Sequence, residues 1–162
     1  LVDNYTLVYY KFLRNLNEDE AHYWSLHTHT NRRNTWERLA FERVCFAHVS
    51  QIKQALGIAG VSAQVYSLQI RKSEANGDGA QIDMVIERAD KVVNLCEMEF
   101  STHEYTIDKD MDENLRNKSA RLAESNKACM AIHLTLITPF DLKDNMYQFS
   151  VQNVITMDDL FT

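Results

Sequence analysis

The chain has 162 residues, 45% of them apolar and 25% charged, and a net charge of −6. Such a composition belongs to one globular domain with a real core; it excludes a disordered tail, and the apolar runs are too short for a transmembrane helix. The acidic balance also counts against autonomous binding of nucleic acid through a basic surface, which draws most of its affinity from neutralised phosphates.

No basic segment followed by an apolar one opens the chain, so nothing points to secretion. Cys45, Cys96 and Cys129 are odd in number, far apart and set in apolar runs. They read as reduced core residues of a cytoplasmic protein rather than as a disulfide or zinc framework. The chain starts at Leu1 without methionine, in what reads as mid-element, and is expected to be a fragment of something longer.

In chain order, the aromatic and apolar stretch Tyr5–Leu13 fits either a strand or a buried helix, because periodicity does not separate the two. Residues 15–33 are polar and read as a long loop; His27 and His29 lack carboxylate or cysteine partners at metal spacing. Residues 34–56 form the clearest helix, with Asn34 or Thr35 as N-cap and Gly57 where a C-cap belongs. At ~100° per residue, Phe41, Cys45, Val49, Ile52 and Leu56 share one face. Glu42 projects into that apolar arc and Glu37 lies at its edge, although an ionised carboxylate is rarely buried unpaired. An ion pair with a neighbouring arginine is the alternative for these acids.

Val61–Ile70 is rich in strand formers, and Gly77 and Gly79 punctuate the turn after it. Gln81–Glu87 and Lys91–Phe100 are apolar runs joined by a tight connection, the pattern of a β-hairpin. A second helix is expected over Asp108–Ser125, with Met111, Leu115, Lys118 and Leu122 on its inward stripe. Ala128–Thr138 reads as a strand stopped by Pro139, Phe149–Thr156 as a last strand, and Met157–Phe161 as a terminal turn. The order helix, three strands, helix, two strands is mixed α/β, in a single domain over residues 1–162.

The hairpin carries acids in otherwise apolar company. Asp83 sits early on its first strand, and Glu97 and Glu99 late on its second, so antiparallel pairing makes them neighbours. The register that sets 83 opposite 97 puts both carboxylates on one face. Converging acids raise one another's pKa unless a cation joins them, and a divalent metal such as Mg²⁺ is the usual cation. The plainer alternative is that Glu97 and Glu99 line the solvent face of an edge strand.

The stretch GAQIDMVIERADKVVNLCEMEFS, Gly79 to Ser101, resembles the core of the PD-(D/E)XK nuclease superfamily. Nearly the whole chain resembles the C-terminal domain of a group of bacterial and archaeal AAA-type ATPases of uncertain role. The resemblance runs through LVDNYTLVYYKF, TWERLAFERVC, QIKQALGIAGV, TIDKDMDENLRNKSARL, HLTLIT and VITMDDLF. It implies a restriction-endonuclease-like fold, a mixed central β-sheet flanked by helices. It also implies a Mg²⁺ held by Asp83, Glu97 and Glu42, with Glu37 a poorer second to Glu42, for hydrolysis of nucleic acid. The superfamily motif ends in a lysine two residues after the glutamate, where an ammonium offsets developing negative charge. Here Glu99 reverses that charge. Either catalysis is lost, or Glu99 is an extra ligand, or a lysine enters from elsewhere; Lys118 on the second helix is the candidate, with snorkelling into water as its alternative.

Two functions follow as expectations: a metal-dependent nuclease domain attached to an ATPase module, or a catalytically degraded module that binds nucleic acid or a partner for that ATPase. No G-x-x-x-x-G-K-[ST] loop occurs in the chain, so any ATP-binding module lies outside this sequence.

Overall fold

A computed structural model of the chain describes residues 3–15, 30–71, 79–125 and 131–162. It divides into two compact units, Leu1–Ala40 and Phe41–Thr162. In the first, α1 (Asn4–Val8) is capped by Asp3, whose Oδ1 accepts from the Thr6 N–H at 2.8 Å, and it runs on as a π-helical turn, Tyr9–Leu13. The opening segment is thus a helix, buried only at Phe12, whose ring meets Trp36 edge-on at 6.1 Å. Tyr5 and Tyr10 are exposed, so the apolar look of this stretch overstates its burial.

The helix read as 34–56 is two: α2 (Asn31–Ala47) and α3 (Val49–Ala55). His48 makes the break. Its N–H reaches both the Val44 and Cys45 carbonyls, and its ring Nδ1 stands 2.8 Å from the same Val44 oxygen, which bends the chain away from helical geometry. Gly57 closes α3 with φ of 69°, the left-handed cap position expected of it. The loop read over residues 15–33 falls mostly on 16–29, outside the described residues, as do the turn at 72–78 and Cys129.

Five strands form one mixed sheet in the order β1 (Ala63–Ile70), β2 (Ala80–Arg88), β3 (Val92–Met98), β4 (Ala131–Ile137), β5 (Asn153–Ile155). The first three are antiparallel neighbours; β3, β4 and β5 run parallel. Helix α4 (Lys109–Ser125) makes the crossover from β3 to β4, as a parallel pair requires. Side-chain alternation sends Met84, Ile86 and Cys96 to one face, where they pack with Phe41, Cys45, Ile52 and Leu160. Val85, Leu95 and Leu134 go to the other, against Leu115 and Leu122 of α4. The fold is α/β with a mixed central sheet flanked by helices, as expected.

The last strand is shorter than its sequence suggests: of residues 149–156, only Asn153–Ile155 is strand. The Asn145 Oδ1 accepts from the N–H groups of Tyr147 and Gln148, so a 3₁₀ turn, Gln148–Ser150, forms there and leaves Phe149 exposed. The chain ends in α5 (Met157–Leu160), started by a capping box between Thr156 and Asp159. No helix among the described residues is long and apolar enough to cross a membrane.

Candidate functional site

Asp83 is placed by an irregularity in its strand. β1 and β2 pair Tyr66 with Val85, then Leu68 with Ile82, so β2 carries one extra residue at Asp83–Met84. Such a bulge re-aims side chains, and it lets Ile82 join Val85 in the cluster under α4, which strict alternation would forbid. On its other side, β2 pairs with β3 as Met84↔Cys96 and Val85↔Leu95. That register, continued by one residue, sets Asp83 opposite Glu97. Beyond Met84 the Asp83 carboxylate replaces the ladder: its Oδ2 accepts the Met98 N–H at 3.0 Å.

Glu97 does not line an edge. β3 is the central strand, and the Glu97 side chain is 3% exposed. Its Oε2 accepts from the Lys118 ammonium, whose side chain is 16% exposed. The inward stripe of α4 delivers that ammonium: Leu115 and Leu122 are buried, and Lys118 stands between them on the same face. Lys118 therefore points into the fold instead of snorkelling to water. Glu97 Oε1 is buried and meets no hydrogen-bond partner among the described residues. Burial first, then the charge of Asp83, push the Glu97 carboxyl up to about 7; Lys118 pulls it down and Glu99 adds to the rise.

Asp83, Glu99 and Lys118 thus all act on Glu97. Glu99 is half-buried, and its N–H donates to the Ile137 carbonyl at 2.9 Å, extending the parallel pairing past β3. Glu42 is half-buried on α2; its charge and that of Asp83 both act on the Cys45 thiol, which burial has already pushed up to about 12. Glu37 follows the plainer alternative, an ion pair with Arg33 at 2.7 Å. Among the described residues, no group of three or more His, Cys, Asp or Glu side chains is close enough to hold a metal ion.

The site opens into a cleft of about 780 Å³ between the start of β2 and one side of α4. Asp83 and Lys118 are part of its lining. Asp110, Glu113, Asn114, Asn117 and Arg121 line it along α4. Sequence reasoning missed these last five, because it followed only the apolar stripe of the helix. Their spacing of three, one, three and four residues was the available signal of a second, polar stripe.

No family model matches the chain, and no curated protein matches it. A crystal structure of a protein of unknown function, AF1548, is similar at 12% identity and a TM-score of 0.49, over 72% of this chain and 64% of that one. The chain spans less than two thirds of that structure's length.

Proposed function

We propose that the cleft hydrolyses phosphodiester bonds of nucleic acid, with Asp83 and Glu97 holding a Mg²⁺ and Lys118 taking the part of the lysine absent from position 99. The seating of the Lys118 ammonium on Glu97, beside Asp83, carries this reading. A two-carboxylate site with an orphaned buried oxygen suits Mg²⁺, which takes one or two protein carboxylates and completes its shell with water and phosphate. When bound, the ion supplies an activated water and stabilises charge on phosphate oxygens. An ammonium carries three donors, so Lys118 can keep Glu97 and also orient a water or a phosphate oxygen. In this reading the domain serves an ATPase module of a longer chain.

A second reading, a binding module with a degraded site, is favoured by the Glu99 charge beside Glu97 and by the lack of a three-acid group among the described residues.

Cleavage of labelled single- and double-stranded DNA and RNA at low salt, with Mg²⁺ or Mn²⁺, separates the two. Weak, metal-dependent cutting by the wild type is expected. Asp83→Asn should abolish both cutting and calorimetric metal binding, whereas Lys118→Ala should abolish cutting and leave metal affinity nearly intact. If neither the wild type nor Glu99→Lys cuts any substrate, the hydrolytic reading fails and the binding module stands.

A further inference from the structure

Along α4 the cleft changes chemistry in order. Asp110 and Glu113 come first, the carboxamides of Asn114 and Asn117 follow, and Lys118 and Arg121 come last. At ~1.5 Å per residue this stripe is about 17 Å long, the length of a few nucleotides. Lys118 is engaged with Glu97, which leaves Arg121 as the cation suited to a second phosphate. Its Nη1 holds Glu124 at 2.9 Å, and a guanidinium has five donors.

We propose that this stripe holds one unpaired strand: Arg121 engages a backbone phosphate next to the reacting one, and Asn114 and Asn117 hydrogen-bond base edges. This rests on the hydrolytic reading and names its substrate class. A duplex carries a charge every ~1.7 Å, twice the density of one strand. Asp83, Asp110 and Glu113 outnumber Lys118 and Arg121 in the lining, so the doubled phosphate density of a duplex is disfavoured there more than that of one strand. Unpaired bases also present their Watson–Crick edges to carboxamides, which paired bases do not.

The test uses the whole chain with a fluorescein-labelled single-stranded oligonucleotide, its duplex and an abasic version. Binding is read by anisotropy over a range of KCl, with Mg²⁺ and with EDTA, and cleavage by gel from the same samples. The single strand should bind more tightly than the duplex. Its log–log salt slope should be about −0.7 to −1.4, the value for one or two neutralised phosphates. Arg121→Gln should weaken binding about tenfold and flatten the slope by about 0.7, while Arg121→Lys should keep the slope. Asn117→Ala and Asn114→Ala should weaken binding to the base-bearing strand about tenfold, with no change on the abasic one. Tighter binding of duplex, a slope untouched by Arg121→Gln, or no binding in either buffer overturns the proposal. Arg121-dependent binding without cleavage keeps it and sinks hydrolysis alone; cleavage indifferent to Arg121→Gln does the reverse.

Discussion

Glu97 and Lys118 are a buried ion pair, and such a pair is more fragile than its geometry suggests. Removing one partner leaves an uncompensated charge, a loss of about 3 kcal/mol or more, unless the survivor changes protonation. Glu97 can do so, because its carboxyl already sits at about 7, well above its ordinary 4.5. Between those two values the folded chain holds a proton that the unfolded chain has released. Its contribution to stability is therefore full below about 4.5 and is lost as the pH rises through about 7, by on the order of 3 kcal/mol. Denaturant unfolding of the metal-free protein should show this fall. Glu97→Gln should remove it, and Lys118→Ala should deepen it at alkaline pH. Equal pH dependence in wild type and Glu97→Gln would count against a raised Glu97.

At the scale of elements, most was legible where a local signal and the tertiary contacts agree. Gly57 is such a place: its left-handed φ of 69° closes α3, and a Cβ built there meets nothing within 4 Å. Gly57→Ala should therefore cost about 1 kcal/mol by backbone strain alone, measured by thermal unfolding. Gly60→Ala is the control; a Cβ there also meets nothing within 4 Å, without a left-handed φ. It should be neutral or slightly stabilising, by cutting the freedom of the unfolded chain. Boundaries were less legible where side chains rewrite the backbone pattern. His48 splits a run that reads as one helix, and Asn145 converts the start of a strand into a turn.

For the molecule as a whole, the two described cysteines report on the integrity of the sheet unit. Cys45 and Cys96 are free and buried on the same face of the sheet, and burial drives both thiols up to about 12. A thiol reacts as thiolate, so both should resist alkylation at neutral pH until the unit unfolds. Mass-spectrometric mapping across a denaturant series should show them reacting together, at the midpoint seen by circular dichroism. Modification of either in the native protein would mean that the core opens locally.

What the sequence determined by itself was periodicity and pairing. The hairpin turn set the register that puts Asp83 opposite Glu97, and helical spacing put Lys118 on the stripe with Leu115 and Leu122. These are local rules, of period two and 3.6, and a window of residues suffices for them. Which neighbour each side chain meets was decided only in three dimensions. The bulge at Asp83, the central place of β3 and the meeting of Lys118 with Glu97 depend on strands and a helix that are distant in the chain. Burial sets the charge state of Glu97, and burial is a property of the packed sheet and helices, not of any segment read alone.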